Sequence, residues 1–425
     1  MRLLCFALLC TVAPAATVVF QQASFPAAAD WAVWSQRAAT APRGYVDANV
    51  SHQGQDGSLV LDGASNSAVH GAWQRVVSGV EPNGWYRLTA YYRSRGIRRP
   101  RLELHARLDW RRADGKRAGQ PDYAYQMAAE GEWTRVTLSA PAPPNARSVA
   151  VQLFLSNAPQ AVVWWDDVSL QKVDAPAARA VRIAAVNLRP RNTESPLEKF
   201  REAVDARVDS ADLIVLPEGV TVVGTTKKYA DVAEPVPGPS TEFLGEIAKR
   251  KRAYVVAGIY EKDVEALYNT AVLLDRNGHL VGKYRKVYLP REEIEGGLTP
   301  GNDFPVFDTD FGRIGLMICW DVQYADPARG LALRGAEMIA VPIWGGNTTL
   351  AKARAIENRV FLISSGYDFP TQILNPDGEE IAIAREQGSI ASATVDLNRR
   401  YADEWLGDMR GRFFHELRTD VPLTQ

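Results

Sequence analysis

Cys319 closes the apolar run Arg313-Ile-Gly-Leu-Met-Ile-Cys319 and is followed by Trp320, Asp321 and a helical stretch from Ala325 to Arg334. A cysteine at a strand end, on a tight turn into a helix, has the placement a nucleophile needs: rigidly held, presented at the sheet edge, with backbone N–H groups nearby. A buried cysteine can equally be a small hydrophobe, so its neighbours decide. Glu218 ends the run Leu213-Ile-Val-Leu-Pro-Glu218, and a carboxylate directly after a buried strand is costly unless it is paired or working. Lys286 lies in Gly282-Lys-Tyr-Arg-Lys-Val-Tyr-Leu-Pro290, where alone it reads as a surface charge. A free thiol is mostly protonated at neutral pH and needs a base or a nearby positive charge to become a thiolate. A carboxylate and an ammonium are the residue types that supply both. Histidine usage argues against a Cys-His protease, because the second half of the chain holds only His279 and His415.

These side chains must be positioned by alternating strands and helices. Val181 to Asn187 reads as a strand. Ser195-Pro196-Leu197-Glu198 then combines an N-cap serine, a proline at the first helical position and a glutamate three residues after the cap. Leu197, Phe200, Val204 and Val208 recur at helical spacing. Asp212 to Pro217 is a short apolar strand of the kind buried on both faces. Ser240 to Arg252 is a second helix, and Tyr254 to Ile259 the next strand. Such alternation predicts an α/β layered domain.

The first half is different. From about Phe20 to Val173, short alternating segments are separated by turn residues: Trp85 to Tyr92, Arg101 to Leu108, Thr134 to Leu138, Ser148 to Leu155 and Ala161 to Trp165. Their spacing is that of a β-sandwich, with no amphipathic helix. Eight of the 11 tryptophans lie here, and tryptophans in a small sandwich are more often core than sugar platforms. Asp166 and Asp167 could hold a structural calcium, although capping of a strand end is as good a reading. Arg93, Arg95, Arg98, Arg99 and Arg101 read as a solvated basic loop. A small-residue linker, 174–180, separates the halves.

The N-terminus reads as a leader: Arg2, the apolar run Leu3 to Val12, and small residues Ala13-Pro-Ala-Ala16 for cleavage. Its loss takes Cys5 and Cys10 and leaves Cys319 as the single thiol, so no internal disulfide is expected even in an oxidising compartment. The same count rules out a thiolate zinc site. A net charge of −1 gives no drive towards nucleic acid or an anionic membrane, and no segment reaches membrane-spanning length.

Taken together, Leu-Pro-Glu218, Tyr-Arg-Lys286 and Ile-Cys319-Trp-Asp321, in this order, resemble the Glu-Lys-Cys triad contexts of the nitrilase, or carbon–nitrogen hydrolase, superfamily. The resemblance extends from about Val181 to Arg412 and includes Pro300-Gly301, Phe304-Pro-Val-Phe307, Arg334-Gly-Ala-Glu337 and Arg354-Ala-Ile-Glu-Asn358. It implies a four-layer αββα sandwich without metal or organic cofactor, Glu218 as general base, Lys286 as oxyanion partner and Cys319 as nucleophile. The Trp320 N–H is a second oxyanion donor on this reading. A second glutamate often assists in the family; Glu292, Glu293 and Glu295 compete for that place, the usual spacing lands on Ile294, and Glu293 is preferred. The ending Trp165-Asp-Asp-Val-Ser-Leu170 loosely resembles the last strand of galactose-binding-like jelly rolls, as in carbohydrate-binding modules.

The expected organisation is therefore a signal peptide over 1–16, a jelly-roll β-sandwich over 20–173, a linker, and a hydrolase domain over 181–418. The expected function is an exported, periplasmic or secreted hydrolase acting on a small-molecule amide or N-carbamoyl compound through a thioester, releasing ammonia or an amine. Asp321, where nitrile-cleaving members commonly carry glutamate, tilts the reading from nitriles to amides. The alternatives are a nitrilase and a glycan-binding protein with a degenerate hydrolase domain. A glycan is the partner considered for the first half, and a homodimer follows from family analogy.

Overall fold

The computed structural model describes residues 16–421 apart from 23–24, 26–27, 29, 54–56 and 368–369. The expected leader, with Cys5 and Cys10, lies outside the described residues but for Ala16. Two compact units emerge: residues 1–176 together with 402–425, and residues 177–401. Residues 402–418, grouped with the hydrolase segment in the sequence reading, pack instead with the first unit.

The first unit consists of two antiparallel sheets. One carries, in spatial order, Arg43–Asp47, Ser58–Asp62, Val162–Val173, Trp85–Arg95, Trp133–Pro141 and Gln126–Glu130, with Thr17–Gln22 also paired to Val162–Val173. The other carries Ala32–Trp34, His70–Ser78, Ser148–Ser156, Leu104–Arg111 and Asp122–Tyr123. Alternate side chains of both, such as Leu59, Leu88 and Trp165 from one and Leu108, Trp110 and Val151 from the other, form one core. None of the eight tryptophans is exposed; Trp31, Trp73, Trp110, Trp133 and Trp165 are buried. One expectation fails locally. Arg101 to Glu103 belong to a helical turn, Pro100–Glu103, because Glu103 turns back to accept from the Arg98 N–H (2.8 Å) and the Arg99 N–H (3.2 Å). The strand starts at Leu104.

Asp166 and Asp167 are occupied by protein donors. Asp166 Oδ2 accepts from the His52 N–H at 2.7 Å and from Ser58 Oγ at 3.2 Å, while Asp167 Oδ2 lies 2.5 Å from His52 Nδ1. The C-terminal helix Met409–Glu416 is part of this unit. His415 Nδ1 reaches the Arg101 carbonyl at 2.5 Å, and the Arg101 guanidinium lies 4.3 Å from the Phe414 ring centre.

The second unit is helix, sheet, sheet, helix. Its first sheet has the order Leu280–Arg285, Ala266–Leu274, Tyr254–Asp263, Leu213–Val215, Ala180–Val186, Ile390–Asp396. The second has the order Val306–Asp308, Arg313–Leu316, Met338–Pro342, Phe361–Ser365, Thr371–Leu374, Glu380–Ala384. The central three strands of each pair in parallel. Period-two alternation divides each strand between two cores. Val181, Ile183 and Ala185 meet Ile314, Leu316 and Ala340 between the sheets. Ala184 and Val186 face the helix residues Phe200, Val204, Leu244 and Ile247. Helices Asp326–Leu333 and Thr348–Asn358 carry apolar residues Leu331 and Ala355, both fully buried. Ser195 precedes helix Pro196–Arg207 as expected, yet its hydroxyl caps nothing. The proline and the apolar stripe suffice to start that helix.

Phe414 is buried within the first unit, so Phe414→Ala is expected to cost about 3 kcal/mol in chemical denaturation. Hydrolytic turnover under native conditions should persist, because residue 414 belongs to the first unit and the chemistry to the second. Unchanged denaturation would show that the C-terminal helix contributes nothing to the first unit.

Candidate active site

Three of the singled-out side chains of the second unit follow the carboxyl ends of strands. Glu218 lies just beyond Leu213–Val215, Lys286 directly after Leu280–Arg285, and Cys319 just beyond Arg313–Leu316. Ligands of layered α/β folds collect at such ends because the loops there are free to vary while the strands hold them rigidly. The two sheets come close at this edge: a Cβ placed on Gly258 would lie 2.8 Å from Glu218 Cα and 3.3 Å from Pro342 Cβ. Only glycine fits there without shifting Glu218.

Glu218, Lys286 and Asn269 are buried to 2%, 1% and 1% exposure. Lys286 Nζ donates to Glu218 Oε1 at 3.0 Å and to Glu293 Oε1 at 2.9 Å. Asn269 Nδ2 donates to the same two oxygens, at 2.6 and 2.8 Å. Two carboxylates thus share two donors. The lysine backbone is tied to the same strand, its N–H donating to the Asn269 carbonyl at 2.9 Å. Of the three glutamates that competed for the auxiliary place, Glu293 reaches this group. Glu292 and Glu295 are exposed, and Ile294, on which the usual spacing falls, is 60% exposed. The short helix Arg291–Glu295 turns one residue inward, and that residue is Glu293.

Cys319 starts the 3₁₀ segment Cys319–Gln323 with φ of +42°, a left-handed conformation that costs a non-glycine residue about 1 kcal/mol or more. The surroundings hold it there. Asp321, fully buried, accepts from the Ile318 N–H at 2.8 Å, from Tyr284 Oη at 2.8 Å and from the Tyr288 N–H at 3.0 Å. One carboxylate therefore joins the cysteine turn to both flanks of Lys286. On the other side, Arg354 donates to the carbonyls of Val322 (3.1 Å) and Gln323 (3.2 Å). Trp320, 37% exposed, has its N–H in the first turn of the 3₁₀ segment, where backbone donors lack intrahelical partners.

Electrostatics follow from this burial. Burial, then the neighbouring Glu218 charge, pushes the Cys319 thiol up to about 12, against the opposing pull of Lys286 and the backbone of Trp344 and Gly345. Cys319 Sγ lies 3.5 Å from the Gly345 carbonyl. Burial by itself would lower Lys286, but the charges of Glu218, Cys319 and Glu293 raise it far above the usual lysine range, so the ammonium persists. Burial raises Glu293 to about 7 and Asp321 to about 6. The second oxygens of Glu218 and Glu293 and the Asn269 carbonyl oxygen are buried without hydrogen-bond partners among the described residues. Such a group can hold a thiol beside a proton acceptor and a fixed cation, the parts required for acyl transfer. Among the described residues no cluster of three or more His, Cys, Asp or Glu could hold a metal ion, and no helix is long and apolar enough to cross a membrane.

The structure brings together Glu218, Lys286, Cys319 and Glu293. Sequence reasoning missed Asn269, although two adjacent polar residues, Asn269 and Thr270, inside an otherwise apolar strand were a readable signal. It also missed Tyr367, whose hydroxyl donates to the Glu218 carbonyl at 2.9 Å.

The Carbon-nitrogen hydrolase family model matches residues 182–404. The chain is 33% identical over 222 residues to the omega-amidase NIT2 of Bos taurus, a match covering 46% of this chain and 80% of that protein. It is also 33% identical over 252 residues to a nitrilase of Pyrococcus abyssi, covering 52% and 94% of the two chains. Among solved structures, Nit3 of Saccharomyces cerevisiae is 24% identical with a TM-score of 0.46, covering 59% of this chain and 97% of that one.

Glu293 carries a pH signature. Its folded-state value of about 7 lies above the ordinary 4.5, so the folded protein retains a proton that the unfolded chain releases. The associated stability is present below the unfolded value and is lost as pH rises through about 7. Thermal unfolding of the wild type should fall more between about pH 5 and about pH 8 than that of Glu293→Gln, with Asp321 contributing equally to both. Parallel falls would show that Glu293 does not titrate in this window.

Proposed function

The chain belongs to the carbon–nitrogen hydrolase family, and from that premise we propose that it cleaves a non-peptide C–N bond of an amide or N-carbamoyl compound through a cysteine thioester. The observation that carries this reading is the buried Glu218–Lys286 pair beside a cysteine held in a left-handed turn. Amide hydrolysis needs a nucleophile, a proton carrier and a counter-charge for the oxyanion.

Glu218 takes the thiol proton as Cys319 Sγ attacks the carbonyl carbon. Because the resting thiol is pushed up to about 12, deprotonation is coupled to attack rather than completed beforehand. Lys286 and the Trp320 N–H stabilise the oxygen as it becomes negative. Collapse breaks the C–N bond, Glu218 returns its proton to the departing nitrogen, and ammonia or an amine leaves. Water then attacks the thioester, giving one proton to Glu218, and the acid is released as sulfur recovers that proton. The sum is amide plus water to acid plus amine.

Asp321, where nitrile-cleaving members commonly carry glutamate, favours amides over nitriles, while an omega-amidase and a nitrilase both occur among the relatives. The first unit is read as a jelly-roll-type sandwich, and residues 1–16 as an export leader removed before the enzyme works. Its buried and half-buried tryptophans favour a packing role over a glycan platform.

Cys319→Ala is expected to abolish ammonia or amine release from a panel of amides, N-carbamoyl amines and nitriles. Unchanged turnover in the purified variant would remove Cys319 from the mechanism, and activity of the wild type on nitriles alone would overturn the amide assignment. In parallel, the mass of the protein purified from its native compartment should correspond to cleavage near Ala16. A full-length mass would overturn the leader.

A further inference from the structure

In strand Leu104–Arg111 of the first unit, Leu104, Ala106, Leu108 and Trp110 enter the core. The period of two therefore sends His105 and Arg107 to the opposite face of the sheet. Register places Phe154 beside His105, Gln152 beside Arg107 and Ser156 beside His70 on that face. The fully buried Phe154 ring is its centre. The His105 ring stacks on it at 4.4 Å, the His70 ring lies at 5.2 Å, and the Arg107 guanidinium at 4.4 Å.

Arg107 is 8% exposed, yet its partners are all neutral. Its Nε donates to Gln152 Oε1 at 2.6 Å and its Nη1 to Tyr123 Oη at 3.1 Å, while Nη2 has no hydrogen bond among the described residues. The carboxylate two positions on, Asp109, is taken by Arg111 at 2.6 Å and Arg117 at 3.3 Å. No carboxylate among the described residues lies within ion-pair distance of Arg107. A charge withdrawn from water without a counter-charge is costly, and buried charges in folded proteins are accordingly paired. The guanidinium is also held in place: Gln152 Nε2 donates to Gln74 Oε1 at 2.7 Å, which turns the Gln152 oxygen towards Arg107.

The two imidazoles beside it are under-used as well. His105 Nδ1 is buried without a hydrogen-bond partner, and His70 lies 2.9 Å from Ser156 Oγ through Nδ1, which leaves Nε2 for another partner. Burial, then Arg107, lowers the His70 value, and burial, then His415, Arg107 and His70, lowers that of His105 further. Both rings are therefore neutral at neutral pH, and a neutral imidazole carries one N–H. One fixed positive charge and two neutral donors thus surround an apolar floor.

We propose that Arg107, His70 and His105 form an anion site in the first unit, which takes one carboxylate, sulfate or phosphate group of a ligand. Arg107 Nη2 supplies the counter-charge and a charge-assisted hydrogen bond. His70 Nε2 and the His105 ring supply neutral donors, and Phe154 closes the floor against water. Donors pointing from several side chains suit an anion with two or more oxygens, each with its own lone pairs, better than a spherical halide. The site is separate from the chemistry of the second unit and stands whether or not the hydrolase reading does.

The test uses the full chain with isotope-labelled histidine rings, observed by NMR at about pH 7. Sodium acetate, sodium sulfate and sodium phosphate are titrated in turn, with ionic strength held constant by sodium chloride. The His70 resonance, assigned with His70→Gln, should move saturably in the millimolar range with at least one of the three salts. The reference is His279, whose side chain is 78% exposed, assigned with His279→Gln. Saturation by acetate alone identifies a carboxylate ligand, and saturation by sulfate or phosphate an ester of those acids; either supports the site. In Arg107→Met the affinity read at His70 should fall at least about tenfold. A His70 resonance that drifts without saturation, as His279 does, in all three salts overturns the proposal. So does an unchanged affinity in folded Arg107→Met. If that variant does not fold, the wild-type titration decides: saturation at His70 but not at His279 supports the site, and its absence overturns it.

Discussion

The second unit is organised around one demand: an ammonium, that of Lys286, sits at 1% exposure and must be compensated. Removing a charge from water costs several kcal/mol even after relaxation, and the cost is recovered only with well-placed counter-charges and satisfied donors. Glu218 and Glu293 supply the counter-charges, and Asn269 bridges the two carboxylates so that both can face the same cation. The compensation is asymmetric. Both Oε1 atoms are engaged and both Oε2 atoms are not. This asymmetry turns a structural ion cluster into a site with acceptors to spare.

The rest of the fold serves the placement of that cluster. Strand ends from both sheets deliver Glu218, Lys286 and Cys319 to one edge, and Gly258 lets the sheets approach beside Glu218. Asp321 then couples the cysteine turn to the lysine segment through Tyr284 and the Tyr288 N–H, while Arg354 braces the far end of the turn. The positive φ at Cys319 is held by these bonds, so the motifs around Arg354 and Asp321 act as supports of the cysteine turn and the lysine segment. Glu337 supports the fold in the same manner, accepting from the Arg313 N–H at 3.1 Å and from Arg179 at the base of the cysteine strand.

Several features were readable from local chemistry. Proline at 196 and a 3.6-residue apolar period predict the helix Pro196–Arg207 to within a residue, and apolar runs bounded by turns predict the parallel strands. Others were not. Ser195 fits a capping box on paper, but its hydroxyl makes no cap bond, and its N–H, which the box would give to the glutamate, is donated to Thr193 Oγ1. Arg101 to Leu108 alternates with period two, yet Glu103 bends its first residues into a helical turn. Periodicity registers which side chains could share a face and not which backbone donors need a partner.

The sequence by itself determined the type and order of the candidate residues: a glutamate, a lysine and a cysteine, each just beyond a strand end, within an alternating α/β pattern and after a β-rich half. Strand length, proline and apolar periodicity are local properties, so they are legible along the chain. Only the tertiary structure decided which of Glu292, Glu293 and Glu295 faces Lys286, that Asn269 ties the two carboxylates, and that residues 402–421 return to the first unit. Those outcomes depend on desolvation and on hydrogen bonds between segments far apart in sequence. A buried charge selects its partner by what lies within about 3 Å of it in space, and no spacing along the chain encodes that distance.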